Sequence, residues 1–326
     1  MPTVFSGIQP SGIIHIGNYI GAIKNWVKIQ NDYPSIFSIV DLHAMTLRYD
    51  PSSMENVIFN TATALLACGV DPEKCSLFVQ SAVHEHTELT WILTTVTPYG
   101  DLTRMTQFKD KSEQNSDNIN AGLFTYPILM AADILIYKAD IIPVGEDQLQ
   151  HLELTREVAR RFNSTFSPIF SEPKGMLTET PKILGLDGKY KMSKSLNNYI
   201  SLEETEQTLW EKLRGAKTDE ARIKRTDPGN PDVCNIYTLH KNFSGEEEVK
   251  EINTECRKAG IGCVDCKKKL MKNLLTLTSP IREKIEFFRS KPEKVYEILE
   301  QGAQNCKKIA SQTMKEVKSV IGLKRF

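Results

Sequence analysis

Two short segments hold residue types that suit a polyphosphate. Lys191-Met192-Ser193-Lys194-Ser195, preceded by Gly188, puts two lysines and two hydroxyls into five residues of a glycine-flanked loop. Such a loop can clamp phosphates and follow their charge as bonds rearrange. Gly7-Ile8-Gln9-Pro10-Ser11-Gly12-Ile13-Ile14-His15-Ile16-Gly17-Asn18 combines glycines that permit close backbone approach with a helix start beyond Gly17, whose free N–H groups favour an anion. Each segment alone has an ordinary reading, a tight connection or a solvated basic loop; their coexistence favours nucleotide binding. Asp133 interrupts the apolar stretch 129–137, where a carboxylate is costly to bury unless donors satisfy it. On the residues alone, the simpler reading pairs Asp133 with a neighbouring backbone group or with Lys138. Cys234, Cys256, Cys263 and Cys266 fall in one window, with 21, six and two residues between them. Four thiolates suit tetrahedral Zn²⁺ or an iron–sulfur cluster. Only Cys263 and Cys266 form a short knuckle, which weighs against zinc, and four unligated cysteines are the bland alternative. No Ser/His/Asp or paired-carboxylate arrangement suggests itself.

The elements that must hold these residues follow from patterning. Short apolar runs at 3–6, 36–40, 76–80 and 141–144 read as strands. They alternate with helical patterns at about 17–30, at 50–66 (Asp50 as N-cap and Pro51 at the first helical position), around Trp91 and Leu93, and at 146–162. That alternation predicts an α/β fold, a Rossmann-like doubly wound parallel sheet with ligands at the carboxyl ends of its strands. The strand signal fades after Pro181. The organisation expected is a Rossmann-like domain over 1–183, the lysine loop over 184–200 and an all-helical domain over 201–292. A last helix within 293–326, carrying Val295, Ile298, Leu299, Ile309, Val317 and Val320 near helical spacing, is expected to return to the first domain.

The 326 residues suit two domains, and 40% apolar with 25% charged composition excludes disorder. With 41 basic against 41 acidic residues the net charge is zero, which excludes a wholesale basic coat but not a local patch. No apolar run is long enough to cross a bilayer, and the first residues, MPTVFSGIQPSG, lack the features of a secretory or transit signal, so a cytoplasmic protein is expected. Disulfides are then not expected, and Cys68, Cys75 and Cys306 read as small packed side chains.

Lys191 to Ser195 matches at every position the KMSKS signature of class I aminoacyl-tRNA synthetases, and His15-Ile16-Gly17-Asn18 resembles their HIGH signature, with Asn18 for the final histidine. Four further blocks, Phe5 to Gly12, Leu123-Phe124-Thr125-Tyr126-Pro127, Met130-Ala131-Ala132-Asp133-Ile134-Leu135 and Pro143-Val144-Gly145-Glu146-Asp147-Gln148, resemble the tryptophanyl-tRNA synthetases of the bacterial type. The resemblance spans essentially the whole chain. It implies activation of L-tryptophan with ATP, accompanied by Mg²⁺, and transfer to the 3′-terminal adenosine of tRNA(Trp) by a homodimer. It implies that Lys191, Lys194 and Ser195, with Gln9 and with Lys111 of the 107–111 loop, act on the departing pyrophosphate. ATP is then bound by Gln9, Pro10, Ser11, His15, Gly17, Asn18, Gly145, Glu146, Asp147, Ile183, Lys191, Met192, Ser193, Lys194 and Ser195. Asp133 faces the indole nitrogen, while Phe5, His43, Tyr126, Met130, Val144 and Gln148 line the pocket or hold the ammonium group. An indole N–H is only a donor, which a buried acceptor would select. A tyrosine phenol needs an acceptor too, and the blocks around Asp133 and Glu146 are what favour tryptophan.

A subset of that family resembles this chain in carrying Cys-x22-Cys-x6-Cys-x2-Cys, which holds a [4Fe–4S] cluster beside the anticodon-binding surface; here the first gap is one residue shorter. Arg257, Lys258, Lys267, Lys268, Lys269 and Lys272 surround it and read as a tRNA patch. Two other classes stand as alternatives, an iron–sulfur redox protein and a catalytically silent RNA-binding paralogue. Intact Lys191, Lys194, Gln9 and Asp133 speak against the second.

Overall fold

The computed structural model describes residues 1–324 apart from Ser11, 107–118 and 178–182, and it leaves the Asp147 side chain undescribed. Five parallel strands, β1 (Val4–Ile8), β2 (Ser35–Ile39), β3 (Cys75–Val79), β4 (Ile141–Val144) and β5 (Lys174–Leu177), form one sheet in the order β3-β2-β1-β4-β5. β1 runs in register with β2 from Val4↔Ser35 to Ile8↔Ile39, and meets β4 on its other side at Val4↔Ile141. The strand order therefore reverses between β1 and β4, the kind of crevice in which doubly wound sheets bind ligands. β2 is buried along its whole length, as befits a strand covered on both faces. β5 (KGML, mostly exposed) is the strand that patterning did not anticipate: a short edge strand has no apolar face to announce it.

The expected helix at 17–30 is a run of three pieces, α1 (Ile16–Asn18), a π-helical turn (Tyr19–Ile23) and α2 (Lys24–Ile29). α3 (Asp41–Ala44) follows β2 directly, and α4 (Pro51–Ala67) opens as expected, with Asp50 accepting from the Ser52 N–H at 3.0 Å. Next come α5 (Glu85–Thr94), α6 (Tyr99–Thr103), α7 (Ala121–Leu135) and α8 (Leu149–Thr165). α7 is capped by Asn120 and carries Pro127 in its interior. The remaining helices are α9 (Glu206–Gly215), α10 (Asn235–Phe243), α11 (Glu246–Arg257), α12 (Cys263–Arg289) and α13 (Pro292–Val320).

The chain forms two compact units. The first comprises Met1–Gly12, Lys24–Glu179 and Lys291–Phe326 and contains the sheet. Its core joins Phe5, Ile36 and Phe78 to Leu89 and Leu93 of α5, Ile128 and Leu135 of α7, Phe162 of α8 and Cys306 and Val317 of α13. Each such side chain contributes about 1.5–3 kcal/mol on full burial. α13 packs on β3 so closely that a Cβ on Gly302 would stand 2.0 Å from the Leu77 carbonyl oxygen. The second unit comprises Ile13–Ile23 and Thr180–Ser290. Its core includes Leu209 and Leu213 of α9, Ile236 and Leu239 of α10, and Leu270 and Leu274 of α12. Ile13–Ile23 is tied in through an Ile16 N–H to Ile200 carbonyl bond of 3.0 Å and a Leu202 N–H to Ile14 carbonyl bond of 3.1 Å. Among the described residues, no helix is long and apolar enough to cross a membrane.

Candidate active site

In the first unit, chemistry gathers at the carboxyl ends of β2 and β3. Asp133, in the last turn of α7, is only 2% exposed. A carboxylate there gains nothing from the helix dipole, so donors must hold it. His43 of α3 donates through Nε2 to Oδ2 at 2.7 Å, while Oδ1 accepts from Gln80 Nε2 at 2.7 Å and from His86 Nδ1 at 2.6 Å. Burial pushes the Asp133 pKa upward, but the bonds and charges of His43 and His86 prevail and hold it at about 2. The Lys138 pairing is not found: that ammonium bonds Glu316 at 2.6 Å. Phe5 stacks on Tyr137 with centroids 5.6 Å apart, and Val144 is buried at the end of β4. Tyr126, whose hydroxyl lies 2.8 Å from His151 Nε2, is pushed up to about 12 by burial and stays a phenol. Met130 and Gln148 are half-buried, and Gln9 and Glu146 are exposed, with Pro10 and Gly145 half-buried beside them. Gln80, His86 and Tyr137 are the residues the sequence reading missed. Gln80 stands immediately beyond β3, so the strand-end rule could have flagged it.

The second unit carries both phosphate motifs. His15 and Asn18 cap α1 reciprocally: the Asn18 N–H donates to His15 Nδ1 at 3.2 Å, and the His15 N–H to Asn18 Oδ1 at 3.1 Å. An Asn in the fourth position therefore has a local task, and His15 must carry its proton on Nε2. Burial first, then the Lys191 charge, lowers the His15 pKa to about 4, so the ring is a neutral donor near neutral pH. Gly17 is needed because a Cβ there would lie 2.9 Å from His15 Nδ1.

The lysine loop is built on its buried members. Met192 is buried and its N–H donates to the carbonyl of Ile183, also buried, at 3.4 Å. Asn198, buried and not anticipated, accepts from the Ser193 N–H at 2.7 Å and donates to Asp187 at 2.6 Å and to the Lys191 carbonyl at 3.3 Å. Gly188 takes a φ of +66°, the turn conformation glycine allows. Lys191, Lys194 and Ser195 remain exposed, with the Ser195 hydroxyl 2.8 Å from that of Ser193. Of the residues singled out from sequence, Ser11 and Lys111, with its 107–111 loop, lie outside the described residues, as does the Asp147 side chain.

The four cysteines also lie in this unit. Cys234 caps α10 and Cys263 opens α12, positions where helix N–H groups favour a thiolate. Burial raises Cys266 to about 12, and the charges of Cys234, Cys256 and Cys263 add to it. Arg222 approaches two of the thiols, with Nη1 at 3.9 Å from both Cys256 and Cys263 Sγ. Among the described residues, no three His, Cys, Asp or Glu side chains are gathered to hold a metal ion, so the geometry supports neither zinc nor an iron–sulfur cluster at these cysteines. The basic patch needs correction. Lys267 is buried and donates to the Arg214 and Ala216 carbonyls at 2.9 and 2.7 Å, closing the end of α9. Arg257 pairs with Asp232, Lys269 with Glu251 and Lys258 with Glu255, and its exposed lysines are Lys258, Lys268 and Lys272. A cavity of about 590 Å³ between α4, β3 and α13, lined by Met54, Ile58, Tyr296 and Leu299, holds none of the motif residues.

Against known proteins, the family model of class I tRNA synthetases (W and Y) matches residues 1–279. The chain is 51% identical to the tryptophan–tRNA ligase of Deinococcus radiodurans, covering 99% of both chains. It is 43% identical to that of Thermotoga maritima, over 98% of this chain and 99% of the relative. The tryptophanyl-tRNA synthetase of Campylobacter jejuni, solved with ADP and tryptophan, matches with a TM-score of 0.89 at 38% identity, covering 98% of this chain and all of that one.

Proposed function

This chain belongs to the class I tRNA synthetases for tryptophan and tyrosine, and from that premise we infer its reaction: it activates L-tryptophan with ATP to tryptophanyl-adenylate and transfers the aminoacyl group to the 3′-terminal adenosine of tRNA(Trp), releasing AMP and pyrophosphate. The observation that carries the choice of amino acid is the full-length match to tryptophan–tRNA ligases, 51% identical in one case, and Asp133, an ionised and enclosed acceptor whose protein partners are all donors, agrees with it. An indole N–H is a donor with no acceptor capacity, which this carboxylate suits.

Attack of the tryptophan carboxylate on the α-phosphate requires positioning and charge neutralisation rather than a general base. Lys191, Lys194 and Ser195, exposed on a loop that Asn198 and Met192 anchor, meet the charge that moves onto the departing pyrophosphate. His15, neutral and protonated at Nε2, donates to a phosphate oxygen without adding a fixed charge. ATP arrives as its Mg²⁺ complex, which neutralises part of the triphosphate charge. The remaining nucleotide set is drawn from Gln9, Pro10, Ser11, Gly17, Asn18, Gly145, Glu146, Asp147, Ile183, Met192 and Ser193, with Lys111 assisting. Phe5, His43, Tyr126, Met130, Val144 and Gln148 enclose the amino acid. Tryptophan-dependent ATP–pyrophosphate exchange, with tyrosine as control, tests this reading. Exchange with tyrosine, or with neither amino acid, overturns it.

The domain roles follow the same reading: residues 1–183 with 293–326 activate the amino acid, 184–200 is the phosphate loop, and 201–292 recognises the anticodon arm. Cys234, Cys256, Cys263 and Cys266 hold a [4Fe–4S] cluster. Their spacing supports this, and the Arg222 guanidinium lies beside two of them. Cys234 at the start of α10, Cys256 at the end of α11, and Cys263 and Cys266 in the first turn of α12 would hold the cluster, which would tie these helices together. An anaerobic preparation is expected to carry about four irons per chain; zinc or no metal overturns the assignment. The family reading carries a homodimer working in the cytoplasm, for which Trp91 and Tyr99, 71% and 74% exposed, offer apolar surface.

A further inference from the structure

We propose that His86, oriented by Tyr137, is the positioning residue that fixes Asp133 as an acceptor and so sets the discrimination for a ring N–H in the amino-acid pocket. The proposal rests on the reading that Asp133 faces the indole. His86 is fully buried at the start of α5, its Nδ1 is 2.6 Å from Asp133 Oδ1, and its Nε2 is 2.7 Å from the Tyr137 hydroxyl, two residues past α7. An ionised carboxylate can only accept, so His86 presents Nδ1–H to it, while Nε2 pairs with the Tyr137 hydroxyl. Tyr137, held as a phenol by its burial, fixes the far side of the ring through this contact. Tyr137 thus orients the His86 ring, and the ring orients the Asp133 carboxylate.

That order has a consequence for the ligand. Oδ1 already accepts two bonds, from His86 and Gln80, whereas Oδ2 accepts one, from His43. A carboxylate oxygen takes two, so the remaining capacity lies on Oδ2 and only a donor can use it. A ring with sulfur in place of the N–H brings a second lone pair against Oδ2 and is rejected. Without His86 the carboxylate loses its shortest bond, takes up a proton more readily and can rotate, and a protonated oxygen no longer tells the two rings apart. Packing does not explain the arrangement, since an apolar residue would fill the same volume without a tautomer to be fixed.

The test uses the full-length enzyme in ATP–pyrophosphate exchange with L-tryptophan and with β-(benzothien-3-yl)-L-alanine, and it reads the ratio of their kcat/KM values. A residue that only supports the fold changes both substrates together and leaves the ratio alone. His86→Leu is expected to reduce the ratio by at least about tenfold, the cost of one lost buried bond to a charged group. Tyr137→Phe should reduce it a few-fold. His86→Asn, which can still present an N–H to Asp133, should restore most of it. Melting curves identify a variant that fails to fold, and the near-isosteric Tyr137→Phe and His86→Asn keep the ratio measurable if His86→Leu does so. An unchanged ratio in the His86 and Tyr137 variants, with a collapsed ratio in Asp133→Asn, overturns the proposal and leaves Asp133 selecting alone. An unchanged ratio in Asp133→Asn removes the assignment of Asp133 itself, and the proposal with it.

Discussion

The buried carboxylate of the first unit and the lysine loop of the second meet opposite electrostatic demands. Asp133 is enclosed and already bonded by three donors, in surroundings where each bond is stronger than in water. Lys191 and Lys194 are exposed, and what holds their loop is Asn198 and Met192 beneath it. An amino acid is selected in the ground state, which rewards a group that cannot adjust. Pyrophosphate departs in the transition state, which rewards charges able to follow it. The difference teaches that rigidity is allotted to recognition and freedom to transfer.

The sharpest way to break that comparison is Asp133→Asn. It should lower kcat/KM for tryptophan by about 10³-fold, mostly through KM and with the KM for ATP unchanged, because a buried site left mispaired rejects its ligand strongly. Lys194→Ala should show the reverse pattern, a kcat lower by about 10²-fold with tryptophan affinity intact. A tryptophan KM that moves instead would mean the loop also takes part in selection. Asn198→Ala keeps both lysines and removes their scaffold. We expect about a tenfold lower kcat with a reduced melting temperature, since the Ser193 N–H loses its partner. Reversing Lys268 and Lys269 to glutamate should weaken aminoacylation only a few-fold at moderate salt and spare adenylate formation; equal loss in both assays would indicate misfolding.

The smallest effect is in acid. His15 has a folded pKa of about 4 against an ordinary 6.5, so it binds fewer protons folded than unfolded between those values. Its contribution to stability is complete above pH 6.5 and is lost as pH falls towards 4. Asp133, at about 2 against 3.8, keeps its contribution down to pH 3.8 and loses it as pH falls through 2. Hydrogen-exchange protection should therefore weaken at 16–18 before it weakens at 130–135, and simultaneous loss would deny the two sites their separate environments.

Much of this was legible because it is local. A run such as Ser35–Ile39, buried throughout, declares a central strand, and Asp50 with Pro51 declares a helix start. Lys191 and Lys194 stand out through spacing, and Asp133 through its apolar neighbours. What stayed hidden depends on distant partners: Gln80 and His86 meet Asp133 across 53 and 47 positions, and neither has a local pattern. The same blindness misassigned Lys267, whose ammonium caps α9 across 51 and 53 positions while its neighbour Lys268 is exposed. β5 escaped notice because an exposed edge strand of Lys, Gly, Met and Leu lacks alternation.

Gly302 carries a consequence for how the molecule is made. The strand it presses against, β3, leaves the ribosome early, whereas α13 emerges only after every residue of the helical unit has been synthesised. Domains tend to fold as units in order of synthesis, yet here the second unit can finish while the first still waits for its last helix. Until Ala303, Cys306, Ala310 and Val317 arrive, the apolar surface they cover stays open to water and to other nascent chains. The interval between those two moments is when the first unit is most open to aggregation.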